Sequence, residues 1–189
     1  NSNETDDILI FDENNDQKTK FITLRQQAQR SKGKDYLALS DFIAPESSGK
    51  TDYMGAFCVT TGFGTDELAQ EYEKANDDYN AIMVKALADR FAEAYAEFLH
   101  KKVRTEYWGY ANQENLTNEE LIAEKYKGIR PAPGYPACPD HLEKHAIWDL
   151  LKVEENIGVY LTESLAMFPT ASVSGYYFGS PHSKYFGLG

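Results

Sequence analysis

Apolar positions first come in short clusters divided by polar turns, and then settle into a sustained helical period. Asp7–Asp12 and Lys20–Leu24 predict two strands, with Ile8, Leu9, Ile10 and Phe11 facing Phe21, Ile22 and Leu24 across a link rich in Asn and Asp. Ser31-Lys32-Gly33-Lys34 and Ser47-Ser48-Gly49-Lys50 read as surface loops. Between them Tyr36–Ile43 predicts a strand ending at Ala44-Pro45, and Gly55–Thr61 predicts a further one. From Leu68 the period changes. Leu68, Tyr72, Ala75, Tyr79, Ile82, Met83, Leu87, Phe91, Tyr95, Phe98 and Leu99 recur three and four apart, which predicts helix. Thr65 or Asp66 supplies an N-cap, and Asn76-Asp77-Asp78 breaks the stretch into a short helix and a longer one reaching about Arg104.

Thr117-Asn118-Glu119-Glu120 is a capping box, with Leu116 and Leu121 placed as a hydrophobic staple. Its helix is expected to end near Tyr126, with Gly128 as C-cap. Asp140-His141-Leu142-Glu143 opens another helix that turns Leu142, Ile147, Leu150 and Leu151 inward. Short extended segments close the chain at Tyr160–Leu165, Ser172–Phe178 and Lys184–Leu188, the last two joined by a turn at Ser180-Pro181-His182-Ser183. Strands, then helices, then strands predict an α+β fold: a twisted antiparallel sheet with helices packed around it.

Composition narrows the function. The 189 residues carry 30 acidic against 19 basic side chains, a net charge of −11 that repels nucleic acid unless one face is locally basic. Lys101, Lys102 and Arg104 do cluster, as a solvated helix end does. No apolar run approaches membrane-span length, so neither nucleic acid nor membrane is expected as a partner. Cys58 and Cys138 lie far apart without metal-ligand spacing, a reduced, cytoplasmic pattern.

Most chemistry-bearing side chains have an ordinary explanation. Gly62-Phe63-Gly64 follows a strand and precedes a helix, but lacks the third glycine of a dinucleotide loop, so a plain turn fits better. His141 and His145 sit one helical turn apart, without the adjacent glutamate of a zinc-protease helix. His141 is expected to face the proline run and His145 to be solvated. The carboxylate pairs Asp77-Asp78 and Glu119-Glu120 read as caps and surface charge. Glu93, at the edge of the apolar stripe of the long helix, reads on its own as structural.

The exception is Arg130-Pro131-Ala132-Pro133-Gly134-Tyr135-Pro136-Ala137-Cys138-Pro139. Four prolines forbid helix and push Arg130, Ala132, Tyr135 and Cys138 toward extended geometry. Backbone groups outside a ladder need other partners. With one guanidinium, one glycine and one phenol, the run suits a small molecule bearing a carboxylate and a flat ring, and its stiffness limits the ordering cost of binding. Tyr176-Tyr177-Phe178 and Tyr185-Phe186 add aromatic residues on both faces of an expected hairpin, where packing accounts for most of them.

This proline run resembles the activation domain of cobalamin-dependent methionine synthase, together with Leu161-Thr-Glu-Ser-Leu-Ala-Met167, Ser172-Val-Ser-Gly175 and Ser183-Lys-Tyr-Phe186. Leu39-Ser-Asp-Phe-Ile-Ala-Pro45, Asp77-Asp-Tyr-Asn80 and Val84-Lys-Ala-Leu-Ala-Asp-Arg90 are similar to the same family's upstream segments. The resemblance implies an S-adenosylmethionine-binding module of a methyltransferase that carries a methyl group from methyltetrahydrofolate to homocysteine through cobalamin. Its role there is to dock on the cobalamin module when cob(II)alamin has formed. Methylcobalamin is then restored with an electron from flavodoxin or a related flavoprotein reductase.

The family's Arg-x-x-x-Gly-Tyr motif falls on Arg130, Gly134 and Tyr135, with Ala132 offering backbone hydrogen bonds. Tyr185 and Phe186 match a second contact segment near the nucleoside, and Glu93 matches a groove glutamate. In-line attack on the methyl group requires an open groove. The resemblance also implies a single activation domain over residues 1–189 that is cut short at both ends, with weakened S-adenosylmethionine affinity and no catalytic competence of its own. A free-standing S-adenosylmethionine-dependent methyltransferase would rest on Gly62-x-Gly64 alone, and a pure interaction domain would leave the proline run unexplained.

Overall fold

The computed structural model describes residues 1–28 and 33–189. Ser31 and Lys32 of the first expected loop lie outside the described residues.

The first hairpin pairs β1 (Ile8–Phe11) with β2 (Gln17–Phe21), with Ile8 opposite Phe21 and a bulge at Phe11. The second strand starts and ends three residues earlier than the sequence predicts. The Ile22 amide leaves the ladder to donate to Glu143 Oε2 at 3.0 Å, and Ile22 and Leu24 stand exposed. The strand expected over Tyr36–Ile43 is instead a 3₁₀ turn at Leu39–Phe42. There Asp41 accepts from the Ala38 amide at 2.9 Å and pairs with Arg25, a local side-chain alternative to a ladder.

β3 (Gly55–Thr60) forms where predicted, one residue short of Thr61, and leads into α1 (Thr65–Lys74) and α2 (Asp78–Lys102). The first helix is capped by Gly64 in the left-handed region rather than by Thr65 or Asp66. Asn76 turns left-handed at the expected break, and Asp77 caps α2 through the Asn80 amide. The residues that carry the helical period are not those that α2 buries. Ala81, Ala88, Ala92, Ala96 and His100 face the protein, while Tyr79, Ile82, Phe91 and Phe98 are more than half exposed. Small side chains bring the helix backbone close to the sheet, with Ala96 against Phe57, Val59 and Tyr177. A π-turn at Val103–Tyr107 follows and drives Arg104 inward.

α3 (Asn118–Ile122) has the predicted capping box, Thr117 with Glu120, but ends well before Tyr126, so Gly128 is not its C-cap. Asp140 caps a 3₁₀ turn over His141–Glu143, and α4 (Lys144–Leu151) and α5 (Val153–Ile157) follow. Ile147 is fully buried and Leu151 packs against the core, whereas Leu142 and Leu150 are exposed. Leu142 belongs to the 3₁₀ turn, so the helical period does not extend back to it.

β4 (Tyr160–Leu161) pairs with β5 (Met167–Phe168), and β6 (Ser172–Tyr177) pairs with β3 over its whole length. Among the described residues all three two-stranded sheets are antiparallel, so the α+β expectation holds with small sheets in place of one broad one. Alternation along β6 divides the molecule into layers. Tyr177 faces α2, while Tyr176 faces Phe21, α4 and the main core. Lys184–Leu188 forms no strand, so the expected terminal hairpin with Ser172–Phe178 is not found among the described residues. The free side of β6 is taken by the proline segment: Tyr176 donates to Pro131 O, and Ile129 and Phe178 exchange both backbone hydrogen bonds.

Candidate functional site

The proline run follows two geometries. Ile129–Ala132 lies extended along β6, as four nearby prolines demand. Gly134–Cys138 then folds into a tight turn instead of staying extended: Gly134 donates to Cys138 O at 2.8 Å, and Cys138 donates to Tyr135 O at 2.9 Å. Gly134 has φ +93°, and a Cβ there would sit 2.3 Å from His141 Cε1. His141 thus packs under the run, as expected, and His145 is exposed. The Ala132 carbonyl serves inside the turn, accepting from Tyr135.

Above this segment lies a groove of about 590 Å³, within the roughly 300–1,000 Å³ of small-molecule sites. Arg130, Ala132, Tyr135, Tyr185, Phe186 and Glu93 all line it. Gly134 does not; its part is to form the turn that aims Tyr135. The sequence did not single out Glu124, which joins the wall from a left-handed backbone position. The tail strand is absent, yet its residues still arrive. Leu188 donates to Pro136 O and accepts from Gln27, which lays Tyr185 and Phe186 across the turn. Phe186 is anchored edge-on to Phe42 at 6.1 Å. Tyr185 Oη accepts from the Arg130 amide at 3.0 Å and meets Tyr126 Oη at 2.9 Å.

Arg130 brings a cation to the groove wall, beside the carboxylates of Glu93 and Glu124. Its side chain is 14% exposed; Nη1 lies 3.3 Å from His100 Nδ1, and Nη2 lies 3.6 Å from Glu97, which is itself mostly exposed. Neither contact is a tight bidentate pair, so most of the guanidinium's five donors remain for a ligand. His100 is fully buried at the end of the alanine stripe, stacked on Tyr177 at 5.2 Å and edge-on to Tyr126 at 5.0 Å. Burial, then the nearby Arg104 and Arg130, lower its pKa to about 2, so the ring is neutral at physiological pH. Glu97 and His100 follow Glu93 by four and seven positions on one helix face. That spacing is the signal by which sequence reasoning could have found them.

Two other sequence candidates change status. The space beside Gly62 is filled, since a Cβ there would lie 2.4 Å from Pro169 Cβ, while Gly64 stands open at φ +78° as the N-cap of α1, so the pair forms a strand-to-helix turn. Arg104 leaves the supposed basic cluster: it is 1% exposed and pairs bidentately with Glu114 at 2.7 Å through both Nε and Nη2. Burial raises both thiols, Cys58 and Cys138, to about 12, which keeps them in the neutral thiol form at physiological pH.

The fold and groove together define a domain with an open groove of small-molecule size that carries an arginine in its wall. The activation-domain model of vitamin B12-dependent methionine synthase matches residues 1–189, and the chain belongs to that family. A solved structure described as the MetH reactivation domain bound to AdoHcy is 58% identical, with a TM-score of 0.92 over 96% of this chain. The match spans 56% of that longer chain. Among the described residues, no helix is long and apolar enough to cross a membrane.

Proposed function

We propose that the groove binds S-adenosylmethionine, and its demethylated product S-adenosylhomocysteine, as the reactivation module of a methionine synthase. The observation that carries this reading is Arg130: a guanidinium with uncommitted donors in the groove wall, on a residue whose backbone amide is tied to Tyr185. It suits the methionyl carboxylate, which it can grip bidentately. Tyr135, Tyr185 and Phe186 supply flat surfaces for the nucleoside, while Glu93 and Glu124 offer carboxylates to the cationic sulfonium and ammonium. The solved relative described as bound to AdoHcy supports the same ligand class.

The cobalamin of the neighbouring module would supply, once reduced by one electron, the nucleophile that accepts the methyl group, which would leave S-adenosylhomocysteine in the groove. This chain's part is to hold the ligand with its methyl facing outward, and an open groove supports that. Docking on the cobalamin module, electron supply by flavodoxin or a related reductase and a cytoplasmic setting complete the proposal. The exposed aromatic residues of α2 form the kind of surface that larger assemblies cover. A glycine-loop methyltransferase is not favoured, because Pro169 fills the turn it needs.

Titration calorimetry with S-adenosylhomocysteine tests the site. Arg130→Ala should weaken binding by about 10- to 150-fold, as expected for lost hydrogen bonds to a charged group. Unchanged affinity would remove Arg130 from the site.

A further inference from the structure

Behind Arg130 the protein places a buried acceptor that the ligand cannot reach. An arginine side chain only donates, so the contact of Nη1 with His100 Nδ1 at 3.3 Å requires Nδ1 to be the unprotonated ring nitrogen. The ring proton is then on Nε2, where the Tyr110 hydroxyl lies 3.5 Å away. The ring itself has little freedom, being stacked on Tyr177, edge-on to Tyr126 and wholly buried. The charged and titratable groups facing it are Arg104 and Arg130 with Tyr110, Tyr126 and Tyr177. Two cations flank it with no carboxylate in contact, so a neutral ring is the state that fits, and its lowered pKa agrees.

We propose that His100 is a positioning residue for carboxylate recognition: its Nδ1 holds one edge of the Arg130 guanidinium so that the opposite edge is presented to the groove. An arginine left free samples many rotamers, and binding must then select one. A fixed acceptor on a packed ring removes that search before the ligand arrives. The inference rests on the reading of Arg130 as the carboxylate partner.

The test compares two probes, S-adenosylhomocysteine and 5′-methylthioadenosine, which lacks the amino-acid end. The unmutated protein should prefer the first, and Arg130→Ala should abolish the preference. If the unmutated protein shows no preference, the Arg130 reading falls and this inference falls with it. Given the preference, His100→Phe should reduce affinity for S-adenosylhomocysteine about tenfold while leaving that for methylthioadenosine unchanged. His100→Asn, whose amide oxygen can take the place of Nδ1, should keep most of the preference. Equal losses for both probes, or equal losses in both variants, would reduce His100 to a packing residue. Should the phenylalanine variant fail to fold, nitrogen NMR of the unmutated protein decides. His100 should be the Nε2-protonated tautomer and remain so from pH 7 to pH 5. An Nδ1-protonated ring would overturn the assignment.

Discussion

Arg104 and Arg130 flank the same histidine and have opposite fates. Arg104 sits on the π-turn, 1% exposed, its planar face over Tyr126 at 4.3 Å and two of its nitrogens on Glu114. Its charge is matched inside the protein, and little of its donor capacity is left over. Arg130 reaches a neutral ring at 3.3 Å and a distant, solvated carboxylate at 3.6 Å. The residue type is the same in both places, but only one of the two has donors to give. What marks a recognition arginine is therefore the incompleteness of its internal partners, rather than its burial or its distance from the groove.

The comparison breaks first at Glu114. Glu114→Ala leaves Arg104 charged, buried and unpaired, and should destabilise the fold by about 3–5 kcal/mol in chemical denaturation. Any weakening of ligand binding should be no more than that instability explains. Arg130→Ala should do the reverse: a marked loss of S-adenosylhomocysteine affinity with a smaller stability loss of about 1–3 kcal/mol, because it leaves a neutral buried acceptor on His100 rather than a buried charge. If both variants lost stability equally, the division between a structural and a recognition arginine would be wrong.

His100 sharpens the contrast through pH. Its native pKa lies near 2, while the unfolded chain's histidine titrates near 6.5. Below pH 6.5 the unfolded state takes up a proton that the native state refuses, so stability is full above that pH and falls as the solution is acidified. The slope from this one group approaches about 1.4 kcal/mol per pH unit once its unfolded form is fully protonated. Denaturation of the unmutated protein and of His100→Asn between pH 7 and pH 5 should differ by that one-proton dependence. Parallel pH profiles would mean that the ring takes up its proton in the native state as it does in the unfolded chain.

Local patterns of the fold were legible where neighbours in sequence decide the structure. The Thr117 capping box, the Asp77 break and the strand Gly55–Thr60 depend on residues within a few positions, and each forms. Orientation was less legible. The large apolar residues of α2 announce a helix, but β3 and β6 select the alanines, because only small side chains admit so close an approach. The groove was legible through Arg130 and the prolines, whose restrictions are intrinsic. Glu97, His100 and Glu124 were not, because their positions depend on how α2 and the segment after α3 meet β6. The final segment forms neither the predicted strand nor the predicted hairpin, since β3 and the proline run occupy both sides of β6, and it lies instead across the turn at Pro136.

The smallest expected effect is the most discriminating for the two carboxylates. Glu97 and Glu114 each face an arginine, but Glu97 is 58% exposed and lies 3.6 Å from Arg130, while Glu114 is 6% exposed at 2.7 Å from Arg104. Water and salt screen the first pair and scarcely reach the second. Glu97→Gln should therefore shift stability by less than about 1 kcal/mol at low salt, with the difference vanishing near 1 M salt. The same variant should bind S-adenosylhomocysteine no more weakly than the unmutated protein, because a competing anion has left the guanidinium. A loss of binding comparable to that of Arg130→Ala would make Glu97 part of the ligand site, and the two arginines would then differ in their partners' exposure rather than in their own completeness.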